Sequence, residues 1–388
     1  MSLRILIVPD KFKGTLSAED AAQAIARGWR KSRPSDTLEL LPMGDGGDGF
    51  GEIIGKLLGA KPRKIKTLDA AHQPIETIWW WNSKTKTAVI ESAKTIGLAM
   101  LPPKKFHPFQ LDTFGLGKVL LAAQKLGCRH CLIGIGGSAT NDGGFGMAHA
   151  LGWKFLDGDG TEIKNWIELN SLVKISTPKN LQMKITVAVD VQNPLLGSRG
   201  ATRVYGPQKG LRESDFAIAE CALGKLAKVF QWERGHPVRK FPADKMSALR
   251  DFSKIPGAGA AGGLGFGLMA FTGAKPESGF GIFSRAANLE KRLRKTDLVL
   301  TGEGAIDQQT LMGKGVGQIA LACKLFKVPC IGIAGMVLEP EKAKKLFTQT
   351  HGLTEITSLK NAKAEPEKYL ESLAGKIAHK ACGSGLTR

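Results

Sequence analysis

Arg4-Ile-Leu-Ile-Val-Pro-Asp-Lys-Phe-Lys-Gly-Thr-Leu-Ser-Ala18 decides the fold. A β-rich run over residues 4–8 breaks at Pro9-Asp10 and crosses a short loop. It then enters a helix over about 18–31, capped by Thr15 or Ser17, with Glu19 and Asp20 at its positive end. A second strand over 37–41 ends in Pro42-Met-Gly-Asp-Gly-Gly-Asp-Gly49 and leads to a helix reaching about 58. The same rhythm returns near the other end. A strand over 297–300 is followed by the turn Thr301-Gly-Glu-Gly304, a helix over 313–324 and a strand over 328–334. Alternating β and helical runs predict parallel α/β sheets.

The middle of the chain reads differently. Residues 64–68, 76–81 and 87–92 form meander strands, and 113–126 a helix. A strand over 131–135 opens into Gly136-Gly-Ser-Ala-Thr-Asn-Asp-Gly-Gly144. Another over 184–189 ends at Asp190, and 215–231 is a long helix. The expected architecture is therefore α/β, with a Rossmann-like parallel-sheet domain built from residues 1–64 plus 286–388. A second α/β domain, 65–285, is inserted, with a cleft between the two.

Composition bounds the function. With 388 residues, 43% hydrophobic and 23% charged, the chain is globular and not a disordered, collagenous or disulfide-stapled protein. Lys plus Arg number 55 against 35 Asp plus Glu, a net charge of +20. The basic residues are scattered, which reads as a solvated surface with mild attraction for small anions. Cys128 and Cys131 form a single CxxC with no second pair at zinc spacing, so they are read as packing residues. The apolar run 5–8 is too short for a secretory leader, and a cytoplasmic location is expected. Ile255 to Ala274 carries no charge but holds seven glycines. It reads as a loop feeding a buried helix, not as a membrane span. Neither nucleic acid nor membrane is expected as a partner, and the chain is expected to be a monomer or homodimer.

The glycines carry the chemistry. There are 48 of them, and nearly every cluster with Asp or Ser follows a strand's carboxyl end and precedes a helix. That edge is where open α/β sheets bind ligands, and backbone amides there can cradle phosphate. No Walker-type loop occurs: Gly313-Lys314 is followed by Gly, and Gly117-Lys118 by Val. Gly257-x-Gly259-x-x-Gly262 matches the dinucleotide pattern but lacks a strand before it. Phosphoryl transfer needs phosphate cradles, cations, Mg²⁺ carboxylates and a proton acceptor, and the loops contain all four. Blander readings stand beside these: Asp48 as a helix cap, Asn141-Asp142 as a turn plus cap, Asp190 bonding loop amides, and Lys11 as a surface lysine.

Taken together, the loops resemble the type-1 glycerate kinases of bacteria, nearly end to end. The stretches are 9–18, 42–49, Glu91-Ser-Ala-Lys-Thr-Ile-Gly-Leu98, 134–144, Asp190-Val-Gln-Asn-Pro-Leu195 and Tyr205-Gly-Pro-Gln-Lys-Gly210. They continue with 257–265, 297–304 and 307–314. The chain departs from the family at Lys11, Gly44 and Asp48, near Val316, and at Ala305, where the family usually has Arg. The resemblance implies a two-domain kinase using Mg²⁺ and ATP on glycerate, with 2-phosphoglycerate as the usual product. Within that frame Asp190, Lys13 and Lys209 are the expected catalytic residues. Lys11, Ser138, Thr140, Asn141, Gly257, Gly259, Gly262, Thr301, Gly302, Gly304 and Lys314 are expected to bind substrate or phosphate. Asp45, Asp48 and Glu303 are expected to hold the metal. The rival readings are a kinase giving 3-phosphoglycerate or acting on another small hydroxy acid, an oxidoreductase using the Gly257 loop, and a nucleic-acid binder.

Overall fold

The computed structural model describes residues 2–381 apart from 13, 179–181, 236–250 and 314. In chain order the strands are β1 (Arg4–Pro9), β2 (Thr37–Leu40), β3 (Lys61–Leu68), β4 (Pro74–Asn82), β5 (Thr87–Glu91), β6 (His130–Gly134) and β7 (Lys154–Leu156). They continue with β8 (Lys174–Ser176), β9 (Lys184–Ala188), β10 (Lys275–Glu277), β11 (Leu298–Ile306), β12 (Cys330–Val337) and β13 (Gln349–Gly352). The chain divides into two compact units. One runs up to Asp45 and resumes at Phe280; the other is Gly46–Gly279. The crossings thus fall at 45/46 and 279/280, where the sequence suggested 64/65 and 285/286. The reason is β3: it pairs with β4 along its whole length, from Lys61 opposite Trp81 to Leu68 opposite Pro74, so residues 61–64 belong with the inserted sheet.

The first unit is a five-stranded sheet in the order β13-β12-β11-β1-β2, parallel throughout. Ile5 to Val8 and Leu298 to Leu300 are buried, as expected for central parallel strands covered on both faces. The helix Ala18–Ser32 starts where Ser17 accepts a hydrogen bond from the Asp20 amide, with Glu19 and Asp20 in its first turn and Arg30 and Lys31 in its last. Its Ala21, Ala24 and Ile25 meet Leu370, Ala374 and Ala378 in one apolar core.

The second unit is a six-stranded sheet in the order β10-β9-β6-β5-β4-β3. β10, β9, β6 and β5 run parallel, and the β5-β4-β3 edge is antiparallel. Trp79 and Trp81 point into the main core, as period-two alternation requires. Trp80 faces the other side and is covered by the helix Phe50–Leu57. Cβ atoms at Gly51 and Gly55 of that helix would fall 2.0 Å and 2.7 Å from its ring. The uncharged stretch does become a loop feeding a buried helix: within Ala260–Thr272 the backbone at Ala261, Gly262 and Gly263 is left-handed, and the buried helical run follows it. Among the described residues no helix is long and apolar enough to cross a membrane. Cys128 and Cys131 are free and buried.

Candidate active site

At the carboxyl edge of the second unit's sheet, β5 ends on Glu91. Its Oε2 accepts from the Gly51 amide at 3.0 Å, yet burial pushes the carboxyl above its usual range. The loop after β6 holds the densest polar group. The Ser138 and Thr140 hydroxyls pair at 2.9 Å, both buried. Asn141 Nδ2 donates to Thr202 Oγ1 at 3.1 Å, while its Oδ1 is buried without a hydrogen-bond partner. Asp142 accepts from the Thr113 hydroxyl (2.7 Å) and amide (3.0 Å) and from the amides of Gly144 (3.2 Å) and Gly146 (2.9 Å). Burial, and after it Asp112, raises its carboxyl to about 6 in spite of those donors. These bonds explain Asp142 as the anchor of the turn into the helix Phe145–Ala150.

Asp190 follows β9, and its Oδ1 accepts from the Gly279 amide at 3.0 Å. Lys209 ends the helix Ala201–Lys209, where the sequence showed only a Gly-Pro loop. Its ammonium is buried and donates to the Thr140 carbonyl at 2.6 Å. Burial lowers it to about 7, with Asp142 pulling the other way. This lysine, one of the expected catalytic residues, is here bonded to protein backbone. Gly257, Gly259 and Gly262 follow the short helical turn Phe252–Lys254, not a strand, so the dinucleotide pattern lacks its context. Added Cβ atoms would lie 2.3 Å from Val189 Cγ1, 2.1 Å from the Pro194 carbonyl oxygen and 1.9 Å from the Thr140 carbonyl oxygen, respectively. Gly262 also sits at φ +71°. Chain-to-chain packing therefore accounts for glycine at all three positions.

At the carboxyl edge of the first unit's sheet, the Asp10 amide donates to the Gly302 carbonyl and the Met43 amide to the Pro9 carbonyl, both at 2.8 Å. β11 does not turn after Leu300 as expected. It runs on to Ile306 because β12 pairs with it as far as Val337. Thr301, Gly302 and Gly304 are consequently strand residues. Thr301 is buried and donates to the Val8 carbonyl at 2.6 Å. A Cβ at Gly302 would meet the Ile333 carbonyl oxygen at 2.2 Å.

Beside them stands a group of acids. Burial raises the Asp10 carboxyl to about 7, with Asp45 adding repulsion, while the Lys11 amide (2.7 Å) and ammonium oppose. Burial also raises Glu303 to about 7. The Thr310 hydroxyl, donating at 2.7 Å, opposes this, and Asp10, Asp307 and Asp45 add to it. Asp307 caps the short helix Gln308–Leu311 through the amides of Gln309 and Thr310.

The expected metal residues are divided between the two units. Asp45 and Glu303 belong to the first unit, whereas Asp48 belongs to the second, beside Gly137 and near Glu91. Asp48 does not cap its helix either; Gly49 holds that position. Among the described residues no three His, Cys, Asp or Glu stand close enough to enclose a metal ion. Lys13 and Lys314 lie outside the described residues. Asp142, read with Asn141 as a turn plus cap, does hold the turn through the Gly144 and Gly146 amides, whereas Asp10 is not among the expected site residues. Asp10 carried a usable signal, since it follows β1 as Asp190 follows β9.

Likeness to known proteins bears on this arrangement. The model of the glycerate kinase family matches residues 5–382. The chain is 37% identical over 386 residues to a glycerate kinase of Halalkalibacterium halodurans, covering 96% of this chain and 97% of that one. It is 38% identical over 342 residues to the glycerate 2-kinase of Escherichia coli K12, covering 87% and 86%. A crystal structure from Salmonella typhimurium LT2, provisionally described as glycerate kinase 2, superposes with a TM-score of 0.80 at 31% identity over 98% of this chain and 99% of that one. With its α/β sheets and these relatives spanning nearly its full length, the chain belongs to the glycerate kinase family.

Proposed function

We propose that this kinase transfers the γ-phosphoryl group of ATP to a hydroxyl of D-glycerate, giving 2-phosphoglycerate and ADP, with Mg²⁺ as the required cation. One observation carries the reading. In a glycerate kinase family member, Asp10, Asp45 and Glu303 share one sheet edge, where burial, and after it mutual repulsion, raises the Asp10 and Glu303 carboxyls to about 7. A divalent cation would relieve that repulsion. The donors are all carboxylate oxygens, which suit Mg²⁺. That ion usually keeps several waters and takes only one or two protein carboxylates beside its phosphates, so no closed protein cage is needed. When bound, Mg²⁺ would offset charge on the phosphates. The 2-phospho product is favoured by the name of the Escherichia coli relative.

The residues of the second unit then have separate tasks. Asp190, its carboxylate oriented by the Gly279 amide, accepts the proton as the glycerate hydroxyl oxygen bonds to γ-phosphorus and the bond to the ADP oxygen breaks. The Ser138 and Thr140 hydroxyls and the surrounding loop amides bind the substrate carboxylate or a phosphate. Lys11 contributes positive charge at the edge of the first unit. The proposed setting is cytoplasmic, as a monomer or homodimer. The test is ADP release coupled to NADH oxidation, with the product identified by phosphorus NMR. D-glycerate should raise turnover well above background ATPase and yield the 2-phospho isomer. ATPase unaffected by glycerate would overturn the reading, and the 3-phospho isomer would correct its regiochemistry.

A further inference from the structure

The proposed transfer needs the loop after β6 and the loop after β9 to keep a fixed spacing. One helix touches both. Thr202, Tyr205 and Lys209 of the helix Ala201–Lys209 lie three and four residues apart, hence on one face. Each holds a loop residue. Thr202 Oγ1 accepts from Asn141 Nδ2 at 3.1 Å, and Lys209 Nζ donates to the Thr140 carbonyl at 2.6 Å. The Tyr205 hydroxyl donates to Asn193 Oδ1 at 2.7 Å, three residues past Asp190. Asn193 is tied further. Its Nδ2 donates to the Arg199 carbonyl at 2.8 Å, and its own carbonyl accepts from the Gly259 amide at 2.9 Å. A Cβ at Gly262 would lie 2.8 Å from Lys209 Nζ, so glycine there keeps the space the ammonium occupies.

We infer that Thr202, Tyr205 and Lys209 form a splint that locks the Ser138–Asn141 loop to the Asp190–Asn193 loop. They are positioning residues whose loss lowers turnover and not substrate binding. This rests on the glycerate kinase reading. Lys209 acts through the Thr140 carbonyl and does not touch the transferred group. The helix suits the task because its backbone is rigid, and three short bonds from one face leave the two loops little freedom to slide. Misplacement of reacting groups by a fraction of an ångström to an ångström lowers rate steeply without weakening binding.

The test uses the full-length protein and near-isosteric changes that spare packing: Thr202→Val, Tyr205→Phe and, as a conservative control, Thr202→Ser. Thr202→Val and Tyr205→Phe should each lower kcat by about tenfold to a hundredfold. KM for glycerate and for ATP should stay within about twofold, as expected when the loss is confined to the transition state. Thr202→Ser, which keeps the acceptor, should restore turnover. Amide hydrogen exchange supplies a readout independent of activity. Both variants should speed exchange in residues 138–144 and 190–196, with Thr202→Ser close to the parent. A raised KM with unchanged kcat would overturn the inference in favour of direct substrate contact. So would unchanged kcat, or unchanged exchange in the two loops. A parent protein that ignores glycerate would instead sink the functional reading, while the exchange result would still decide whether the splint exists.

Discussion

Asp190 and Asp10 stand at matching places, each just past the end of a parallel strand, yet they are held differently. Asp190 Oδ1 accepts from the Gly279 amide. Asp190→Asn can keep that bond through its amide oxygen but cannot take a proton. Its kcat should fall by roughly 10²-fold or more, typical of losing a general base, with KM little changed. Steady-state kinetics checks this, and retained turnover would remove Asp190 from the role. Asp10 and Glu303 have ordinary values of 3.8 and 4.5, both raised to about 7 in the folded protein. Between those limits the folded state holds protons that the unfolded chain releases, so stability is lost as pH rises from about 4 through 7. Without divalent cation, the unfolding temperature should drop between pH 5 and 7.5. Glu303→Gln should flatten that drop, and added Mg²⁺ should reverse more of it at pH 7.5 than at pH 5. Calorimetry in chelator and in Mg²⁺ measures all three, and an unfolding temperature that rises over this range in both proteins would refute the account.

At the scale of elements, local chemistry explains where some helices begin, as Ser17 does for Ala18–Ser32, and packing explains what they can carry. The helix Phe50–Leu57 presents Gly51 and Gly55 to Trp80. Replacing Gly51 with Ala pushes a methyl into the indole ring, where a Cβ has only 2.0 Å. The expected cost is about 1–3 kcal/mol, in the range of overpacked cores, read as a lower urea midpoint, with kcat of the folded fraction retained. A midpoint equal to or above that of the parent would show that the Trp80 side of the sheet can relax. The helix Ala201–Lys209 shows the opposite balance. Gly206 and Pro207 break its local propensity, yet it is held by the Thr202, Tyr205 and Lys209 bonds to two loops. For the same reason a local reading took this stretch for a loop.

For the whole molecule, an apolar core in each unit and a charge of +20 set the terms. The basic residues are scattered along the sequence. They produce a positive field that favours encounter with small anions. Raising KCl from about 20 mM to about 500 mM should therefore lower kcat/KM for glycerate several-fold, with kcat little changed, because added salt shortens the screening length. Stopped-assay kinetics across that series checks it, and a flat or rising kcat/KM would show that the net charge plays no part in substrate capture.

The sequence alone determined the α/β class, the parallel core strands, the helix after β1 and the glycine-rich loops at strand carboxyl ends, because each is written in periodicity and turn chemistry among near neighbours. It also carried Asp190 to its place after β9, since a strand's end is a local event. Tertiary structure decided the rest. It carried β11 past its glycines through pairing with β12, and buried Lys209 against the Thr140 carbonyl. It also brought Asp10 and Asp45 to Glu303, more than 250 residues further along the chain. Burial and mutual repulsion depend on which distant segments meet, and neighbouring residues carry no record of that meeting.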